Sequence, residues 1–315
     1  NDAVLNVLQS FSRIGVNVFA LITGYLSVGR TSKPWKLLNI WMIVFFYLVL
    51  TTVCALLVGN VSPITVIKDL NPLGYWYVLA YTGLILVQPM LNRLLEQVDT
   101  ARLRMILILA FIFLSFLPLL TVNVFSVSTG HNALWLVYMY LVGWYLNVAQ
   151  IKLKSAYWIG AFGLIVFSAI GNYGLMYIRG IIKHNFDDLT TNFFNSYTSP
   201  TIFLASIIVF NLILQWKVSY SKILQFFATG AFSVYVLHFS PAYLNNIIEN
   251  KFQLFADDNV IWMVTKIFVT VFLIFASSGL IDGMRRRLFK LFNATKVEEY
   301  IKTTMTKLFK AMIKY

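Results

Sequence analysis

The stretch "VFALITGYLSVGRTSKPWK", residues 18–36, decides the fold class. An apolar run carries Thr23, Gly24 and Tyr25 in its middle, then stops at Arg30, Lys33 and Lys36, with Pro34 among them. Apolar chain ending in cations with no acid reads as a membrane span followed by a cytoplasmic stop. The rest of the chain has the same character. Of its 315 residues 59% are hydrophobic and 12% charged, and the mean hydropathy is +0.75. A water-soluble domain carries about twice that share of charge, so lipid is the solvent for most of this chain. The apolar runs are long and continuous, which predicts helices rather than the alternating strands of a membrane barrel.

Working outward, nine candidate spans follow: 11–29, 37–59, 75–92, 105–125, 133–149, 156–177, 200–216, 228–247 and 259–281. The predicted fold is an all-α integral membrane protein. Residues 1–283 form one transmembrane domain, and 284–315 form a basic, amphipathic, cytoplasmic tail helix. The net charge of +13 follows from topology. Taking alternate loops as one side, 19 of the 25 Lys and Arg residues fall on the side of Arg30, including Arg285, Arg286, Arg287 and Lys290 of the tail. That excess marks the cytoplasmic face and places the C-terminus there. The tail is suited to an anionic inner leaflet, and a partly disordered basic tail is the alternative. The charge has a membrane explanation, so no nucleic-acid partner is expected. The chain begins with Asn1 rather than Met, and nine spans starting outside imply one further span upstream if the N-terminus is cytoplasmic.

Few polar groups interrupt the spans, and each is a functional candidate because burying it in lipid is costly. Arg13, just inside the outer end of span 11–29, either snorkels to headgroups or marks a site. Lys266, seven residues into the last span, reads as a snorkelling or helix-packing residue. His238 lies near the middle of "TGAFSVYVLHFSPAYLNN", with Pro241 three residues on. It must face protein or a wet cavity, as a hydrogen-bonded structural histidine or a proton carrier. Tyr81 is the deep member of "YWYVLAYTGLILVQPMLN", whose Tyr75, Trp76 and Tyr77 suit an interfacial aromatic belt. Arg30, Lys33 and Lys36 either follow the positive-inside bias or hold the phosphates of a cytosolic ligand. The single cysteine, Cys54, cannot form an internal disulfide. The histidines 131, 184 and 238 lack ligand spacing, so no metal is expected. No phosphate-binding glycine motif of a soluble nucleotide fold is present.

Four of these stretches, in order, resemble the acyltransferase-3 family of bacterial integral-membrane O-acyltransferases. "IGVNVFALITGYL" is similar to its V-x-x-F-x-x-I-S-G-Y/F signature, with Thr23 in place of the serine. "WYVLAYTGLILVQPMLN" resembles W-Y-x-x-x-Y-x-x-L-x-x-x-x-P-x-L-N. "GAFSVYVLHFSP" resembles S-F-G-I-Y-L-I-H-x-x-P, and "LIDGMRRRLF" matches I-D-x-x-R. The resemblance implies about ten helices in the bacterial cytoplasmic membrane. It also implies acetyl-CoA as co-substrate, and transfer of an acetyl or other acyl group to a cell-surface polysaccharide or lipid-linked glycan. The family's main catalytic histidine and arginine lie on a first helix, upstream of residue 1. Its R-x-x-R pair falls on Arg30 and Lys33, with Lys36 nearby. The resemblance makes Arg30, Lys33 and Lys36 the CoA-phosphate residues, and His238, Arg13 and Tyr81 the catalytic candidates. A transporter or flippase of a lipid-linked sugar fits the span count but not the ordered motifs.

Overall fold

The computed structural model describes residues 2–31, 35–57, 64, 70–120, 127, 129–183, 193–240, 251–291 and 303–304, the Lys36, Leu119 and Leu120 side chains excepted. Among them the regular structure is entirely helical. The helices are α1 (Asp2–Tyr25), α2 (Lys36–Leu57), α3 (Trp76–Gln97), α4 (Thr100–Phe111), α5 (Leu117–Leu120), α6 (Ala133–Ala149), α7 (Tyr157–Lys183), α8 (Pro200–Leu214), α9 (Lys222–His238) and α10 (Val260–Leu291). A π-helical turn, Ile112–Phe116, joins α4 to α5.

Caps set the starts of several helices. Asp99 accepts the amide protons of Ala101 and Arg102 at the head of α4, and Asn132 accepts that of Trp135 in α6. Asn259 accepts that of Trp262 at the head of α10, and Pro200 fills the first position of α8, where no amide donor is needed. Among the described residues five helices are long and apolar enough to cross a membrane: Asp2–Tyr25, Leu37–Leu57, Trp76–Gln97, Tyr157–Ile182 and Val260–Leu291. α6 and α8, of 17 and 15 residues, are apolar but shorter.

The chain divides into two compact units. The first comprises Asn1–Ser32 and Leu79–Lys217, the second Lys33–Val78 and Val218–Tyr315. In the first, α1 is the central element, packed against α6, α7 and α8. Its buried face is Ser10, Ile14, Asn17, Leu21 and Gly24, the three-and-four spacing of one helix side. At its far end α1 lies against the backbone of α6. A Cβ on Gly24 would stand 2.0 Å from the Tyr140 carbonyl oxygen, and one on Gly143 would stand 2.2 Å from that of Leu21. In the second unit α9 packs on α10 and α2 around Val44, Tyr47, Leu48, Val236 and Leu237.

Three placements differ from the sequence reading. Arg13 is not at a helix end. α1 starts at Asp2, with Asn6 Nδ2 and Ser10 Oγ donating to helix carbonyls one turn back, and Arg13 therefore sits halfway along it. His238 is the last residue of α9 rather than the middle of a span. The chain turns tightly there, Phe239 N–H bonding Tyr235 O and Ser240 N–H bonding Leu237 O. Pro241 lies outside the described residues. α10 runs on beyond the expected span 259–281 as one helix to Leu291. The remainder of the tail, apart from residues 303 and 304, lies outside the described residues. Lys266 does reach toward a helix end: its Nζ is 2.7 Å from Asp258 Oδ2 and 5.5 Å from the centre of the Phe255 ring.

Candidate functional site

In the first unit an irregular segment, residues 193–199, buried from Asn195 onward, lies against α1. Asn195, Ser196, Thr198 and Ser199 are all nearly or fully closed to solvent. Non-helical backbone within a membrane protein needs partners for its polar groups. Side chains supply them. Asn17 Nδ2 donates to Tyr197 O at 3.0 Å, and Ser115 Oγ, in the π turn, donates to Thr198 O at 2.6 Å. Asn195 Nδ2 donates to Gln9 Oε1 at 2.9 Å, and its Oδ1 lies 3.2 Å from Ser10 Oγ. Asn17 is a junction: its Oδ1 also accepts the Trp135 indole N–H at 2.9 Å, and its Nδ2 is 3.3 Å from Ser206 Oγ.

This scaffold holds Tyr197 against a cationic guanidinium and an imidazole. The Arg13 guanidinium carbon stands 4.8 Å from the centre of the Tyr197 ring. The His131 ring meets the same ring edge-on, at 5.1 Å between centres. Arg13 Nε is closed to solvent and meets no hydrogen-bond acceptor among the described residues. An arginine so placed has charge and a donor to offer a ligand. His131, just ahead of α6, is held below its usual pKa, first by burial and then by the positive charge of Arg13. Its neutral form, able to take up a proton, is therefore the one present at neutral pH.

A second polar group lies further along α1. Tyr81 is in hydrogen-bonding contact with the Thr23 side chain. Thr23 Oγ1 donates back to Phe19 O at 2.9 Å, and Ser27 Oγ to Thr23 O at 2.6 Å. Gln88 Nε2 donates to Ser27 Oγ at 2.8 Å, Tyr140 OH donates to Asn92 Oδ1, and Asn147 Nδ2 closes the group on Tyr25 O at 2.9 Å. Thr23–Tyr25 is thus a packed polar joint. Directly after it the chain turns at Gly29, with φ +67°, and presents exposed Arg30. Lys33 lies outside the described residues, and of the expected cation group Arg30 alone has a described side chain.

In the second unit His238 Nδ1 is 2.7 Å from Val234 O, and its ring contacts those of Tyr235 and Phe239. The closing I-D-x-x-R motif forms a buried knot there. Asp282 Oδ1 accepts from Ser233 Oγ at 2.6 Å, Arg285 Nε at 2.8 Å and Tyr47 OH at 3.2 Å. Asp282 Oδ2 stands 3.1 Å from Arg286 Nε, an ion-pair distance without hydrogen-bond alignment.

Of the sequence candidates, Arg13 and Tyr81 each join a polar group on α1, and His238 belongs to the other unit. His131 was missed. It lies 118 residues from Arg13, and no local pattern ties the two together. Among the described residues no group of three or more His, Cys, Asp or Glu side chains is placed to hold a metal ion.

The profile of one protein family, described as an acyltransferase domain, matches residues 2–279. No curated protein and no solved structure matches the chain. The family match reaches into both units and takes in the first three motif stretches, the fourth (residues 280–289) beginning directly after it, and the chain belongs to the acyltransferase-3 family of membrane acyltransferases.

Proposed function

We propose that this protein is a membrane O-acyltransferase that moves an acetyl group from cytosolic acetyl-CoA to a hydroxyl of an extracytoplasmic cell-surface glycan, in a bacterial plasma membrane. The observation that carries the reading is the family match over residues 2–279. Two polar groups along α1, in a chain otherwise built for lipid, support it. So does the distribution of Lys and Arg, which favours nine spans with Arg30 and the tail on the cytoplasmic face. There Arg30, Lys33 and Lys36 hold the CoA phosphates by charge-assisted hydrogen bonds.

The direct test is incubation of the full-length protein, in lipid nanodiscs, with labelled acetyl-CoA and a panel of purified cell-envelope glycans. Label on a glycan hydroxyl is the expected result. Absence of label from both glycan and protein, with acetyl, succinyl and longer acyl donors alike, defeats the proposal. If the three cations hold phosphate, their joint replacement by Ala raises KM for acetyl-CoA at least about tenfold, since charged hydrogen bonds contribute roughly 1.5–3 kcal/mol each. The turnover number stays within about threefold, because these contacts hold ground state and transition state alike. An unchanged KM removes the phosphate assignment and leaves the activity standing.

A further inference from the structure

Arg13 is a cation midway along α1, and among the described residues it joins no ion pair. Lys266, Arg285 and Arg286 of α10 each have an aspartate. A charge set in an apolar helix is costly and marks a functional position. Arg13 Nε is closed to solvent and meets no acceptor among the described residues. Asn17, one turn on, cannot serve it, being engaged with Tyr197 O and the Trp135 indole. A buried donor left without an acceptor is destabilising. The contact with the Tyr197 face, at 4.8 Å, meets the charge in part and leaves the Nε–H without a partner.

The group beside this cation is a second nitrogen group rather than an acid. His131 meets the edge of the same ring, and it lies near enough to Arg13 for the guanidinium charge to oppose its protonation. Such a pair suits a negatively charged oxygen group. One guanidinium and a neutral imidazole amount to a single positive charge, which matches a singly charged oxyanion better than a doubly charged phosphate. His131 is exposed and Arg13 half-buried, so the pair can be reached from solvent while one donor stays dry. In the orientation proposed above, the head of α1 and the segments leading into α6 and α8 lie on the extracytoplasmic side, where the acceptor arrives.

We propose that Arg13, on the face of Tyr197 and beside His131, forms an anion subsite for a singly charged oxyanion of the acceptor glycan: the carboxylate of an acidic sugar or a phosphodiester. That the ligand is the acceptor rests on the acyltransferase reading above. The subsite orients the glycan and leaves the proton and acyl transfers to other groups. A guanidinium fork meets two oxygens of either anion at once. The Tyr197 ring backs the fork. Asn17 and Ser115 hold the segment that carries this ring, through the carbonyls of Tyr197 and Thr198. A neutral sugar brings no charge for the guanidinium, so the site selects by charge.

The experiment reads binding rather than turnover. Full-length protein in nanodiscs of zwitterionic lipid is titrated by saturation-transfer NMR, with empty nanodiscs subtracted. Methyl glucuronide, methyl glucoside and glycerophosphoglycerol are the carboxylate, neutral and phosphodiester probes. At least one of the two anions is expected to bind at least about tenfold more tightly than the glucoside, the effect of one charge-assisted hydrogen bond. Which anion it is names the source. Arg13→Gln is expected to abolish the preference. Arg13→Lys, which keeps the charge and loses the fork, is expected to retain part of it. The anion is compared with the glucoside within each protein, so a loss of stability alone does not imitate the result. Wild type that binds both anions no better than the glucoside overturns the inference, as does a preference that survives in Arg13→Gln. A protein that binds the anion through Arg13 yet transfers no acyl group to any acceptor keeps the subsite and loses the acyltransferase reading.

Discussion

Asp282→Ala is expected to destabilise the second unit by about 3–5 kcal/mol, the cost of breaking a buried ion pair from one side. The carboxylate is 1% exposed and the Arg285 side chain 8%. Arg285 rests on the Phe289 ring at 5.0 Å, and Phe289 in turn meets Phe46 of α2 edge-on. Removing Asp282 leaves that guanidinium enclosed without its counter-ion. It also leaves the hydroxyls of Tyr47 and Ser233, from α2 and α9, without their shared acceptor. One carboxylate ties three helices together, so the loss spreads beyond a single contact. Thermal unfolding in detergent, followed by tryptophan fluorescence and by the fraction of monodisperse protein, measures it. The compensated variant Asp282→Leu with Arg285→Met keeps volume and removes both charges. It is expected to be more stable than Asp282→Ala alone, since apolar replacement of a buried pair is often neutral. Equal stability of Asp282→Ala and wild type would show that the knot contributes nothing.

Gly24→Ala is expected to be the most damaging single-methyl change on α1, costing about 3 kcal/mol, the upper end of ordinary overpacking. The new Cβ would lie 2.0 Å from the Tyr140 carbonyl oxygen and 2.8 Å from its carbon. Those are backbone atoms, and no rotamer change moves them. α1 and α6 must separate by more than an ångström, at a crossing where Gly143 makes the reciprocal approach to Leu21. Small residues at such crossings are what let membrane helices pack backbone to backbone. The same motif supplies the control. Gly15 has nothing within 4 Å of its would-be Cβ, so Gly15→Ala is expected to be neutral, or stabilising by up to about 1 kcal/mol from helix propensity. A pair of melting curves decides it. Gly24→Ala melting with the wild type would mean the close crossing is dispensable.

The helical, membrane-bound character of the chain was legible because it follows from composition and from long apolar runs. The site was legible only in pieces. Arg13 stood out as a cation in an apolar stretch, but its depth was misjudged. Asn6 and Ser10 look like a polar approach to a span until Asp2 O and the buried Asn195 are known to receive them. Gly15 and Gly24 are equivalent as letters and differ only in what faces them. His131 carried no periodic or spacing signal, since its significance comes from a tertiary contact with Tyr197. The I-D-x-x-R motif was recognisable. Its partners Tyr47 and Ser233 were not, because they lie 235 and 49 residues away in sequence.

The polar joints of α1 also bear on how the chain is made. Asn17 bonds to residues 118, 180 and 189 positions downstream, and Ser10 reaches one 185 positions on. When α1 leaves the ribosome, none of those partners exists. At roughly 5–20 residues per second, synthesis of the stretch to Ser206 takes about 10–40 s. Within that interval the partners of Asn17 arrive one at a time, Trp135 first, then Tyr197 and Ser206. α1 is therefore a helix that enters the bilayer early and reaches its final environment late, when α8 emerges to complete its hydrogen bonds.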